Sequence, residues 1–132
     1  MLKVLIIEDE LLIQKSLKIL LERKSAQVVT ASSGKTAIDI IHREHFDRII
    51  CDLMLQDITG FDVFEESKKV YTKEELMKKF IFITAYSSQQ VSEQINNYGC
   101  RLFTKPFDDI NLVVDTFLTN SVQEVEIESP QI

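Results

Sequence analysis

The sequence predicts a doubly wound α/β sandwich, with helices on both faces of a five-stranded parallel sheet. Hydrophobic periodicity switches between a strand-like run and a helix-like stripe five times along the chain, the alternation that builds βαβ units. The strand-like runs are short, β-branched and apolar on both faces, as in Val4-Leu5-Ile6-Ile7, which marks strands covered on both sides. The length, 132 residues, is that of one domain and suffices for one core without disulfide or metal staples.

Val4–Ile7 forms the first run, and similar ones recur at Val28-Val29, Ile49-Ile50-Cys51, Phe80-Ile81-Phe82-Ile83 and, more weakly, Leu102-Phe103. The first and third are the most apolar and are expected at the centre. Between them lie helical stripes. Leu12, Ser16, Ile19 and Leu20 share a face of the first helix, flanked by Leu17 and Leu21. Ala37, Ile38 and Ile41 follow Gly34 in the second, and Phe61 and Phe64 open the third. Thr72 with Glu75 fits a capping box for a short extra helical turn. Val91 and Ile95 anchor the fourth main helix, which Gly99 ends, with Ser87, Ser88, Gln89 and Gln90 capping and solvating its start. Ile110, Val113, Val114 and Phe117 anchor the fifth, its first turn carrying Asp108 and Asp109, which suits the positive end of a helix. The segment from Thr119 to Ile132 alternates Glu124, Glu126 and Glu128 with Val125 and Ile127. It reads as a frayed end, an extra edge strand or the start of a linker.

Composition narrows the function. Lys plus Arg number 15 and Asp plus Glu 21, a formal charge of −6. That argues against gripping nucleic acid through phosphates, which needs a basic stripe, and against docking on anionic lipid. No run of about 18 apolar residues offers a membrane span. Met1-Leu2-Lys3 leads straight into the first strand, so no signal peptide is expected. Cys51 and Cys100 sit beside apolar residues and read as buried free thiols in a reducing cytosol.

Ligands of open parallel sheets bind beyond the carboxyl ends of the strands. Glu8-Asp9-Glu10 follows the first strand, Asp52 ends the third, Thr84-Ala85 ends the fourth and Lys105-Pro106-Phe107 the fifth. Surface polarity alone does not account for Asp52, an acid directly after Ile49-Ile50-Cys51 on a central strand. Glu8, Asp9 and Asp52 are expected to converge, and two carboxylates about 4 Å apart repel by roughly 4 kcal/mol at an effective dielectric near 20. Three together call for a raised pKa or a bound cation. All-oxygen ligation without clustered His or Cys points to a hard divalent ion, Mg²⁺ first. His42 and His45 fall at the opposite end of the sheet and read as surface residues. Lys105 can pair with the acids or with an added phosphoryl oxygen, and Thr84 can donate its hydroxyl to that oxygen. This set suits phosphoryl transfer to Asp52. Glu10 reads as a helix-start charge, and Phe103 and Phe107 as core.

In order, Glu8-Asp9, Asp52, Gly60, Thr84-Ala85 and Lys105-Pro106-Phe107 resemble the receiver domain of two-component response regulators, over roughly Lys3 to Leu118. The resemblance implies a flavodoxin-like receiver fold with strand order 2-1-3-4-5, occupying residues 1–120 and leaving 121–132 as an acidic tail or the start of a linker. It implies that Asp52 accepts a phosphoryl group from a sensor histidine kinase or histidine phosphotransfer protein. Asp9 would bind Mg²⁺ directly, Glu8 through water, and Met54 through its backbone carbonyl, with Asp52 a further ligand. Thr84 and Lys105 would contact the phosphoryl oxygens, and the Lys105-Pro106 bond would be cis. Output to a downstream protein would pass through the fourth helix, fifth strand and fifth helix, in a cytoplasmic signalling domain rather than an enzyme, with at most slow self-dephosphorylation. Gln56 stands where the family often has proline, and Leu102 where it usually has an aromatic, which bears on the usual threonine–aromatic coupling. Gly99 to Lys105 is six positions, where seven is common.

Two other classes compete. A phosphate-independent, receiver-like binding adaptor would have no need for so costly an acid cluster. A haloacid-dehalogenase-type phosphatase needs a second acid two residues after the first, where Met54 stands. Glu8-Asp9-Glu10 would also repel the phosphate of a flavin.

Overall fold

The computed structural model describes residues 1–86 and 88–118; Ser87 and the segment 119–132, which holds the expected tail and the domain bound at 120, lie outside the described residues. Five strands, β1 (Lys3–Ile7), β2 (Gln27–Ala31), β3 (Arg48–Asp52), β4 (Phe80–Thr84) and β5 (Arg101–Thr104), form one parallel sheet in the order β2-β1-β3-β4-β5. The helices are α1 (Leu11–Arg23), α2 (Gly34–Arg43), α3 (Gly60–Ser67), α4 (Lys73–Lys79), α5 (Gln89–Tyr98) and α6 (Ile110–Phe117). The expected extra turn is thus a short helix, and the fourth and fifth main helices are α5 and α6.

Strand alternation sorts the apolar residues onto two faces. Leu5, Ile7, Ile49, Cys51, Phe80 and Phe82 join α2, α3, α4 and α5 in one core. Val4, Ile6, Ile50, Ile81 and Ile83 join α1 and α6 in the other. The first core is aromatic-rich: Phe64 stacks on Tyr98 at 4.7 Å and meets Phe80 edge-on at 5.1 Å.

The face expected for α1 is corrected: the helix buries the flank that carries Leu17 and Leu21. Leu12 is 82% exposed and Ile19 49%, whereas Gln14, Leu17 and Leu21 are buried. Gln14 faces inward because its amide donates to the carbonyl of Glu8 at 2.8 Å and reaches Ala31 and Ser32 at the end of β2. It ties the carboxyl ends of β1 and β2 together, a use of a polar side chain that hydropathy does not register.

Helix ends are set locally. Ser33, Thr59, Thr72, Ser88 and Asp109 each accept a backbone N–H as N-caps, and Gly99 ends α5 at φ 72°. Arg48 and Arg101 donate to the carbonyls of Phe117 and Thr116, satisfying the last turn of α6. Thr72 and Glu75 form both arms of the capping box. Thr72→Ala is expected to lower stability by about 1 kcal/mol, read as a shift in urea midpoint at unchanged slope.

Candidate functional site

Glu8 stands one residue beyond β1, Asp52 ends β3, and Lys105 lies just past β5, its N–H donating to the carbonyl of Thr84. All three side chains are withdrawn from solvent and meet. The Lys105 ammonium donates to Glu8 Oε1 at 2.8 Å, Asp52 Oδ2 at 2.8 Å and Glu10 Oε1 at 2.9 Å. The second oxygens are satisfied as well: Glu8 Oε2 accepts from the Glu10 amide and Asp52 Oδ1 from the Met54 amide. The Lys105-Pro106 bond is cis.

Burial sets the electrostatics. Desolvation pushes the Glu8 carboxyl up to about 7, opposed by the hydrogen bonds from Lys105 and the Glu10 amide and reinforced by the charge of Asp52. Burial works to lower the Lys105 pKa, but its bonds to Asp52, Glu8 and Glu10 outweigh this and hold it above the ordinary lysine range. The lysine is therefore an ammonium throughout the physiological range, while the Glu8 carboxyl exchanges its proton near neutral pH. Burial likewise raises both thiols, Cys51 well above its ordinary value and Cys100 to about 12. Neither supplies a thiolate near neutral pH.

Thr84, also buried, stands one step beyond the β4 residue paired with Asp52, its hydroxyl accepting from the Tyr86 amide. Met54 exposes its side chain and turns only its backbone toward Asp52. Asp9 is half-buried and outside the convergent group, which consists of Glu8, Glu10 and Asp52 with ligand atoms within 4.8 Å of one another. Glu10, expected as a helix-start charge, does occupy the N-cap of α1, yet makes no cap bond with its side chain because that carboxylate reaches Lys105. No local spacing signals this, because Glu10 lies past the end of β1 and its partner is 95 positions away.

Fold and site together define a doubly wound α/β domain whose chemistry centres on a lysine-neutralised carboxylate at the carboxyl edge of its middle strand. The family model for the response regulator receiver domain matches residues 4–116, and the chain belongs to that family. Among curated relatives, the polar-differentiation response regulator DivK of Brucella ovis is 30% identical over 105 residues, covering 78% of this chain and 83% of that one. The probable transcriptional regulator ycf27 of Guillardia theta is 40% identical over 67 residues, 51% of this chain and 26% of that protein. The non-phosphorylated HemR receiver domain of Leptospira biflexa superposes with a TM-score of 0.77 at 26% identity, covering 88% of this chain and 91% of that one. Receiver domains are signalling domains of two-component systems, and phosphorylation and Mg²⁺ binding are general features of the family. Among the described residues, no helix is long and apolar enough to cross a membrane.

Proposed function

We propose that this chain is a phosphorylation-controlled switch in which Asp52 accepts a phosphoryl group from the phosphohistidine of a sensor histidine kinase or phosphotransfer protein. The observation that carries this is Asp52 itself, 3% exposed on the middle strand and held at 2.8 Å by Lys105. An Asp52 oxygen forms a bond to phosphorus, the P–N bond breaks, and the imidazole leaves with its electron pair and takes up a proton. Asp52 is then an acyl phosphate, and the Lys105 ammonium exchanges its Asp52 contact for a phosphoryl oxygen. Thr84 gives its hydroxyl to another. The resting Lys105–Asp52 contact supports this exchange, because the ammonium already faces the oxygen it would leave.

The convergent carboxylate oxygens of Glu8, Glu10 and Asp52 fit a hard divalent cation, and half-buried Asp9 adjoins them in sequence. Asp9, Glu8, Asp52 and the Met54 carbonyl are the residues that would hold Mg²⁺, with Glu10 beside them. When bound, the metal would offset charge on the incoming phosphoryl group. Output would pass through α5, β5 and α6 to a downstream protein, in a cytoplasmic signalling role rather than an enzymatic one. A cavity of about 300 Å³ on that side has a mixed lining, with Leu102, Phe103, Phe107 and Leu112 beside Asp108 and Asp109. Leu102 at the usual aromatic position packs with the α5 side of the sheet, while Phe103 turns to Phe117.

Intact mass after incubation with Mg²⁺ and acetyl phosphate tests the reading. One phosphoryl adduct is expected, absent in Asp52→Asn and absent with EDTA. An adduct that survives Asp52→Asn would remove Asp52 from the role. No adduct and no Mg²⁺ binding by the folded chain would favour the phosphate-independent adaptor.

A further inference from the structure

The loop between Asp52 and α3 is closed at its base: the Gly60 amide donates to the Leu53 carbonyl at 2.9 Å, and Met54 bridges to Thr59. Gly60 is required there, since a Cβ would stand 2.7 Å from the carbonyl oxygen of Asp52. The tip is held differently. Asp57 Oδ1 accepts from the Gly34 amide at 3.0 Å and Oδ2 from the Lys35 amide at 2.9 Å, gripping the first turn of α2 with both oxygens. Beside this grip, Ile58 fills the space over Gly34, where a Cβ would collide with the Ile58 side chain. Desolvation is the largest single influence and works the other way, but the backbone amides of Lys35, Gly34, Ile58 and Asp57 together outweigh it and hold the Asp57 carboxyl below its ordinary range, so the grip persists through mild acid. Gln56, the residue just before the grip, brings none of the backbone rigidity that a proline would.

We infer that Asp57 is a positioning residue: by clamping the loop tip onto the start of α2 it fixes the backbone at Met54 and hence the geometry around Asp52. The inference rests on the phosphoacceptor reading of Asp52. It makes α2, remote from the acid cluster in sequence and contributing no side chain to it, part of what holds the site in register. A helix start has unpaired amides that favour a carboxylate. Here the loop supplies that carboxylate, so the cap of one element becomes the brace of another.

Asp57→Ala removes both bonds, Asp57→Asn retains one carbonyl acceptor, and Gly34→Ala displaces Ile58 while leaving Asp57 in place. Each folded variant would be compared with wild type by amide hydrogen exchange over residues 53–59, by Mg²⁺ titration, and by the rate of adduct formation from acetyl phosphate. Asp57→Ala is expected to speed exchange in the loop and to lower both Mg²⁺ affinity and phosphorylation rate by about tenfold, the size typical when a supporting residue behind a metal site is lost. Asp57→Asn should recover part of each, and Gly34→Ala should shift all three readouts in the direction of Asp57→Ala. Faster loop exchange with wild-type affinity and rate would overturn the inference, leaving Asp57 a merely structural cap. Unchanged exchange would overturn it also. A wild-type chain that forms no adduct would instead overturn the functional reading beneath it, an outcome visible before any variant is made.

Discussion

Lys105→Met is expected to cost the metal-free protein about 3–5 kcal/mol at pH 8, the range seen when one partner of a buried ion pair is removed. The lysine side chain is 3% exposed, that of Glu8 0% and that of Asp52 5%. Methionine fills similar volume but leaves two carboxylates facing each other without a cation. Glu10, 58% exposed at its side chain, can turn to water and contributes little to the loss. Glu8 offers a partial escape by taking a proton, so the loss is expected to be smaller at pH 5.5 than at pH 8. Added Mg²⁺ should return part of the lost stability, because a ligand that binds only the folded state shifts the unfolding midpoint. Urea denaturation at the two pH values, with and without Mg²⁺, checks all three expectations. An equal loss at both, insensitive to Mg²⁺, would mean that Lys105 acts by packing alone.

That dependence of stability on a charged centre explains which parts of the molecule are legible in the sequence. Sheet class and the partition of apolar residues follow from period-2 runs, since Val4 and Ile6 must face away from Leu5 and Ile7 whatever the rest of the chain does. Part of the acid–lysine centre is legible because charge at the end of an apolar strand is costly without partners: Glu8, Asp52 and Lys105 are found together, while Asp9, expected with them, stays outside the group. Three features are not legible, and each depends on a hydrogen bond to a distant element. Gln14 turns inward against the hydropathy of α1 because backbone carbonyls await it. Glu10 gives up its own helix cap for a lysine 95 positions away. Asp57 looks like an exposed loop acid until the first turn of α2 is placed 22–23 residues earlier beside it. Local patterning reports burial well; it does not report which orphan amide or carbonyl a polar side chain will find.

The metal-free wild-type chain is expected to gain stability as pH falls from 8 toward 5, the opposite of a protein held by ordinary surface salt bridges. Desolvation raises the folded-state pKa of Glu8 to about 7 from an ordinary 4.5. Between those values the folded chain keeps a proton that the unfolded chain has released, so stability declines as pH rises through the window and levels off above it. The full swing corresponds to about 3 kcal/mol for this one group. Lys105 adds no slope there, because its pKa is raised from a value already near 10.5 and its contribution fades only in strong base. Glu8→Gln removes the titrating group while leaving Asp52 and Glu10 on the lysine. It should flatten the pH profile between 5 and 8 and make the protein about 1–2 kcal/mol more stable at pH 8, since a neutral amide is less costly to bury than a carboxylate. The same change should weaken Mg²⁺ binding by removing a negative oxygen from the convergent set. Thermal denaturation across pH 5–8, run on both proteins with and without Mg²⁺, separates the effects. A wild-type profile that rises with pH would mean that Glu8 is ionised at no cost, with Lys105 fully compensating its burial. A profile that falls, together with a flat one for Glu8→Gln, identifies a site whose resting state is destabilised by its own acids, and a bound cation is then the means by which the fold recovers that energy.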